Sequence, residues 1–426
     1  MKIFLKNIGK LKSADVEIKG ITIIAGENNT GKSTVGKSLY SIFNSFYNVD
    51  VQIRNEKIQS IENILALIYR NATARLTSRV DFEEIAYSII NNANKFEKLE
   101  QLKDEIWKSI MQYDEYFEKN AQIEDAEELI SHIYEILQIT DEKFFKTVLD
   151  KNLEVEFNGQ INNIFTKDEA EIKLQIKDEV IDITIRDDKV YNIGSRIDLQ
   201  TEVLYFDDPY VLDEQRRIEL FRNSINYLDH RSHLKSKLSM GEKNLNVINE
   251  IVVNNKFEKI YDKLNEVCDG NIVKSRRGWG YKKKNNENVL DVRNLSTGLK
   301  TFIILKTLLT NGVIEFNSTI VLDEPEIHLH PEWQLIFAEL IVLIQKEFGV
   351  HILVNTHSPY FLNAIEVYAA KHEINDKCKY YLAEMDGESS YIKDVTDNIE
   401  KIYSKLAKPL QELRMRDIVM IEWKKF

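Results

Sequence analysis

Polar and apolar residues alternate from the start of the chain. Lys2–Lys6 and Val16–Lys19 have the period of a half-buried strand, and Ile21-Thr22-Ile23-Ile24-Ala25 is a β-branched apolar run that suits a fully buried one. A glycine-rich turn follows, then helix-like sequence through Phe43. From Val51 to Leu149 the chain is polar, with apolar residues at steps of three and four (Leu99, Leu102, Ile106, Ile110, Tyr113, Phe117), which predicts several packed helices. Between Asn152 and Tyr191 the period becomes two. Leu153–Phe157, Glu171–Ile176 and Val180–Ile185 predict a strand meander, and Glu202–Phe206 predicts a buried strand stopped by Asp207-Asp208-Pro209. Helical sequence resumes over Leu212–Val267, a hairpin is expected within 271–293, and the pattern then becomes strand–helix–strand–helix. Its apolar strands, Thr319–Leu322 and Val350–Val354, imply a parallel sheet with crossover helices. Lys379–Phe426 reads as a hairpin followed by helices. The expected fold class is α/β, a mixed or parallel sheet with flanking helices. The expected divisions are 1–50 with 150–225 as one split lobe, 51–149 as a helical insertion, and 226–426 as a second lobe with a C-terminal extension.

Composition narrows the class. The chain has 426 residues, 43% of them hydrophobic, with only 15 Gly and 5 Pro. It can bury a large core, so disordered and linker-rich classes are excluded. Two cysteines, Cys268 and Cys378, cannot build a disulfide framework or a CxxC metal site, which points to a reducing, cytoplasmic setting. The charged N-terminal stretch lacks the apolar core of a signal peptide. No apolar run approaches the ~18 residues of a membrane span, so no membrane partner is expected. The net charge of −12 argues against a generic nucleic-acid coat while leaving a local basic site open.

Gly26-Glu27-Asn28-Asn29-Thr30-Gly31-Lys32-Ser33 fits GxxxxGK[ST] at every fixed position, between an expected strand and an expected helix. Such a loop turns successive backbone N–H groups inward around phosphate, and its glycines permit the turn. The helix N-terminus adds positive charge. Gly26 through Thr34 are therefore the candidate ATP-binding residues, with Lys32 on the β- and γ-phosphates and Ser33 on Mg²⁺. Ser318-Thr319-Ile320-Val321-Leu322-Asp323-Glu324-Pro325 is an apolar strand ending in two carboxylates, where a parallel sheet carries its ligand site. Asp323 is placed to hold Mg²⁺ and Glu324 to polarise an attacking water. The strand His351–Asn355 ends in Thr356-His357, whose imidazole could order that water beside the γ-phosphate. Asn294-Leu295-Ser296-Thr297-Gly298-Leu299-Lys300 precedes a strongly apolar helix, Thr301–Leu309. Ser296 suits an N-cap, and that helix start also suits an anion.

In this order, the phosphate loop, the Leu-Ser-x-Gly stretch, the Asp-Glu-Pro strand and the histidine resemble the ABC-type ATPases. Asp323-Glu324-Pro325-Glu326-Ile327-His328-Leu329-His330-Pro331 resembles the SMC-like branch that includes RecF and OLD-type ATPases. The resemblance covers residues 1–45 and about 200–426. It implies an ATP-sandwiched homodimer in which Ser296, Thr297 and Gly298 of one copy face the phosphate loop of the other. It further implies Glu324 as general base and His357 as switch. Thr297 stands where transporter signatures have glycine, and Asp207 or Asp208 stands where a glutamine is expected after the strand ending at Phe206.

OLD-type nucleases carry a further domain, but only 69 residues follow His357, so no nuclease activity is expected in this chain. The layout resembles the ATPase subunits of Septu-like and retron-associated antiphage systems. That implies a sensor or regulator acting on a separate effector, often an HNH-type nuclease. The alternatives are a RecF-like DNA-repair clamp without a toxin partner and a transporter nucleotide-binding subunit. Lys274-Ser275-Arg276-Arg277-Gly278-Trp279-Gly280-Tyr281-Lys282-Lys283-Lys284 interleaves cations with aromatics. Arg276, Arg277, Lys282, Lys283 and Lys284 are candidate contacts to DNA, RNA or an acidic partner, against the plainer reading of a solvated hairpin tip.

Overall fold

The structure is a computed structural model, and it describes residues 1–73, 80–114, 126–166, 168–195, 197–214, 229–240, 258–275 and 278–408. The chain forms two compact units. One joins Met1–Tyr47 to Leu149–Phe426, and the other is Asn48–Val148. The first unit takes in the residues of both expected lobes except 48–50, which fall in the second unit.

Among the described residues, the first unit is built on an 11-stranded sheet. Its antiparallel side holds β1 (Lys2–Ile8), β2 (Leu11–Glu17), β4 (Ala170–Ile176), β5 (Glu179–Arg186) and β6 (Lys189–Ile193). Its parallel side holds β3 (Ile21–Gly26), β7 (Val203–Phe206), β11 (Thr319–Asp323) and β12 (His351–Thr356). A hairpin of β13 (Cys378–Asp386) and β14 (Ser389–Asp394) joins the two sides. β13 runs parallel to β3, and β14 runs parallel to β2. The meander shows period-two burial, as in β5 with Ile181, Ile183 and Ile185 inward, whereas β3 is buried at all six positions. A smaller sheet has the order β10-β9-β8, from β8 (Gly270–Ser275), β9 (Gly278–Lys283) and β10 (Val289–Asp291).

Helices cover the parallel strands. α1 (Lys32–Phe46) packs closely because Gly36 is small: a Cβ there would sit 2.7 Å from Val321 Cγ1 and 2.8 Å from Tyr205 Cε2. α9 (Thr297–Thr310), α10 (Pro331–Phe348) and α11 (Pro359–Lys371) close the main core, where the Phe337 ring lies 5.6 Å from that of Phe302 and 6.4 Å from that of Phe361. α7 (His230–Ser239) and the helical residues 258–267 (α8) join the same core through Leu234, Leu238, Ile260 and Leu264. No helix among the described residues is long and apolar enough to cross a membrane.

The second unit holds α2 (Val49–Thr73), α3 (Phe82–Asn91), α4 (Leu99–Tyr113) and α5 (Ala126–Gln138). Leu102, Ile106 and Ile110 of the expected stripe are fully buried with Ile61, Leu65, Ile85, Ile130 and Ile133; Phe117 lies outside the described residues.

Leu153–Phe157 is not a strand. It ends α6 (Asp141–Phe157), whose buried positions Phe145, Val148, Leu149, Asn152, Leu153 and Glu156 step by three and four, while Val155 is exposed. The alternation over five residues was part of a helical stripe. The second strand ends at Glu17, so Ile18 and Lys19 lie beyond it.

Candidate functional site

Four neighbouring parallel strands end along one edge. Thr356 pairs with Ala25, Asp323 with Asn355 and Leu322 with Phe206, so β3, β12, β11 and β7 release Gly26, His357, Glu324 and Asp207 side by side. The carboxyl edge of a parallel sheet is where such folds bind ligands.

The loop from Gly26 to the start of α1 is held by its own chain. Asn29 and Gly31 have φ of 66° and 79°, and Thr30 Oγ1 donates to Glu27 O at 2.8 Å. Gly31 admits neither the strain nor the bulk of a Cβ, which would lie 2.9 Å from Leu11 Cδ2. Lys32 is 4% exposed, donates to the carbonyls of Gly26 (3.1 Å) and Glu27 (2.9 Å), and lies 3.4 Å from Glu324 Oε1. Lys10, Asn28, Asn29, Thr30, Gly31, Lys32, Ser33, Thr34, Asp207, Asp323, Glu324 and Ile327 line one open cleft of ≈ 510 Å³. Glu27 is exposed and lies 3.8 Å from Lys405.

The acidic half is equally fixed. Asp323 accepts from Tyr205 Oη at 2.6 Å and from Asn355 Nδ2 at 2.9 Å. Burial, followed by the charge of Asp323, raises the Tyr205 phenol well above its ordinary value, so it stays a donor. Glu324 has φ of 51°, a strained position for a side chain with a Cβ, and its N–H donates to Asn355 O at 2.9 Å. His357 Nδ1 lies 3.3 Å from Glu324 Oε1. Ser33 and Asp323 offer hard oxygen donors in the same cleft, a donor set that fits Mg²⁺.

Sequence reading missed how Asp207 and Asp208 are held. Arg231 Nε donates to Asp207 (3.1 Å) and Arg231 Nη2 to Asp208 (2.8 Å). His230 Nε2 lies 3.2 Å from Asp207, while His230 Nδ1 is bonded at 2.8 Å to Glu156, a buried residue near the end of α6. Burial alone lowers the His230 imidazole, but bonds and charge from Asp207 and Glu156 outweigh it and raise it to about 9. Burial pushes Asp207 up, yet His230 and Arg231 hold it below its ordinary value. The only sequence signal was a doubled acid at a strand end. Nothing in the sequence paired it with residues 23 and 24 positions on.

Ser296, Thr297 and Gly298 lie elsewhere. They line a separate cleft of ≈ 420 Å³ with His328, His330 and Trp333, and among the described residues none lines both clefts. Thr297 starts α9, and Ser296 is its N-cap residue without the expected side-chain cap bond. Gly298 is required by packing, since a Cβ there would lie 2.9 Å from His328 O and 3.1 Å from the Trp333 ring.

The basic stretch is only partly described. Arg276 and Arg277 lie outside the described residues, while Lys282, Lys283 and Lys284 are exposed. Its aromatics do not suit base stacking: Tyr281 is 2% exposed with its hydroxyl bonded to Gly270 N, and Trp279 packs on the core.

The sequence matches the family described as AAA ATPase domain over residues 1–362. The chain belongs to this family. It therefore carries an ATPase domain, and nucleotide binding goes with it. No curated protein matches the sequence. Similar solved structures include the SmcHead bound to the C-winged helix domain of ScpA, at 14% identity over 92% of this chain and 96% of that one, with a TM-score of 0.42. The SMC head domain from Thermotoga maritima is 12% identical over 92% and 98%, with a TM-score of 0.37. The Smc head domain with an extended coiled coil bound to the C-terminal domain of ScpA from Pyrococcus furiosus is 12% identical over 97% and 98%, with a TM-score of 0.38.

Proposed function

We propose that this ATPase binds and hydrolyses ATP in a site shared between two copies of the chain. The observation that carries this reading is the separation of the two clefts: Ser296-Thr297-Gly298 lines neither wall of the phosphate-loop cleft in its own chain. In the shared site the loop Gly26–Thr34 cradles the phosphates and Lys32 supplies positive charge. Ser296 and Gly298 of the second copy complete the contact. Ser33 and Asp323 would hold Mg²⁺, which when bound supplies positive charge to the phosphate oxygens. Glu324 takes a proton from the attacking water, and His357, 3.3 Å from Glu324, orients that carboxylate and the water.

The test is complementation between inactive variants. Mixing Lys32→Ala with Ser296→Arg creates mixed dimers with one intact site, so about a quarter of wild-type turnover should return. A mixture as inactive as its parts, with both variants folded, contradicts a shared site.

The Asp323–Pro331 stretch supports a finer reading, in which the dimer is the sensor or regulatory subunit of a prokaryotic antiphage complex controlling a separate effector such as an HNH-type nuclease. Expression with neighbouring genes and native mass measurement should then yield a stoichiometric second polypeptide. The competing reading, a RecF-like DNA clamp, draws on the exposed Lys282–Lys284 run. It predicts a bare homodimer whose hydrolysis is stimulated by DNA.

A further inference from the structure

A second glutamate lies beyond the hydrolytic pair and is used by neither it nor the phosphate cradle. Glu326, in the turn between β11 and α10, is 2% exposed. Its Oε1 accepts from the Thr356 hydroxyl and lies 4.0 Å from His357 Nδ1. Its Oε2 is buried and meets no hydrogen-bond partner among the described residues. The root of the side chain is fixed as well, since the Glu326 carbonyl accepts from Leu329 N at 3.0 Å and from Gln334 Nε2 at 3.3 Å. On the other side, the Thr356 hydroxyl accepts from Ser358 N at 3.0 Å, and Ser358 Oγ caps α11 through Phe361 N at 3.1 Å. The residue between Thr356 and Ser358 is His357. Its neighbours are pinned by this chain of bonds, while the imidazole itself remains half-exposed toward the site.

Burial raises the Glu326 carboxyl above the usual carboxylate range, the Thr356 bond acting in the opposite sense. An ionised carboxylate with one oxygen unpaired in the interior is costly, and a proton on Oε2 lowers that cost. It also removes a second anion that would compete with Glu324 for the imidazole.

We infer that Glu326 is a positioning residue for hydrolysis: it holds Thr356, and through it sets His357 against Glu324, without touching nucleotide or carrying the water's proton. This rests on the hydrolytic reading above. An amide at this position keeps the acceptor for Thr356, so Glu326→Gln should hydrolyse ATP within about twofold of wild type. Glu326→Ala should lose kcat by about tenfold, with the calorimetric Kd for ATP unchanged within about twofold. Should Glu326→Ala fail to fold, Thr356→Val cuts the same bond from its other end and should show the same split. Wild-type kcat in the variants that cut the bond overturns the inference. So does a Glu326→Gln defect as deep as that of Glu324→Gln, which would make Glu326 a proton carrier. Glu324→Gln, assayed alongside, separates the two levels. Full turnover there overturns the hydrolytic reading and this inference with it. Loss there, with full turnover in Glu326→Ala, overturns only the role given to Glu326.

Discussion

Lys32 Nζ lies 3.4 Å from Glu324 Oε1, so the cation of the phosphate loop and the proposed general base share one contact across the cleft. Lys32 is nearly buried and its other bonds go to two backbone carbonyls. Removing it takes one donor from each of those carbonyls and one partner from Glu324, and takes away the charge that meets phosphate. Lys32→Ala should weaken ATP binding at least ~tenfold by calorimetry, and Lys32→Arg should not restore it, because a planar guanidinium is not a point charge. Unchanged affinity in Lys32→Ala would remove Lys32 from the phosphate site.

Tyr205 is expected to matter through Asp323. Tyr205→Phe deletes the 2.6 Å bond and leaves one carboxylate oxygen unpaired. The expected cost is ~1–2 kcal/mol in chemical denaturation, with a higher Mg²⁺ concentration needed for half-maximal hydrolysis. An unchanged Mg²⁺ titration would show that Asp323 is held well enough by Asn355 alone.

Gly36 is the point where α1 meets the sheet. Gly36→Val drives a side chain into Val321 and Tyr205. Overpacking should destabilise the fold by ~1–3 kcal/mol and lower turnover by displacing Tyr205. Wild-type stability in this variant would mean that α1 can shift at no cost.

His230 gives the fold a pH dependence of known sign. Its folded value, about 9, lies above its ordinary 6.5, so the stability it contributes is fully present below about 6.5 and is lost as pH rises through about 9. The charged groups facing it are Glu156 and Asp207, with Arg231 on the far side of Asp207 and the Tyr40 and Tyr205 rings against the imidazole. Urea titrations between pH 6.5 and 9 should show stability falling by on the order of 1–3 kcal/mol, and His230→Gln should flatten that slope. An equal slope in both proteins would place the titration elsewhere.

The parts of the site visible in the sequence were those built from consecutive residues. Gly26–Ser33, Asp323-Glu324 and Thr356-His357 each sit at the end of an apolar strand, so local pattern and chemistry coincide. Contacts between distant segments were not visible. Glu156 looked like the polar position of a strand because five residues are too few to separate a period of two from a helical stripe. Only the wider set from Phe145 to Glu156 shows the helix. A hairpin was readable within Lys379–Phe426, but its insertion between β2 and β3 was not, since pairing partners across the sheet leave no periodic trace. Glu326 stood in plain view within the Asp-Glu-Pro-Glu run, and only its burial beneath Thr356 gave it a role.

In the mechanism we propose, ATP closes two copies around a shared site and Glu324 reopens it by hydrolysis. The most direct measurement is the native mass of Glu324→Gln by light scattering, without nucleotide and with ATP and Mg²⁺, alongside its turnover. A doubling of mass with ATP is expected, retained by the variant and transient in the wild type, with turnover in the variant reduced by at least ~100-fold. A variant that binds ATP yet keeps the same mass, or one that hydrolyses it at the wild-type rate, rules this mechanism out.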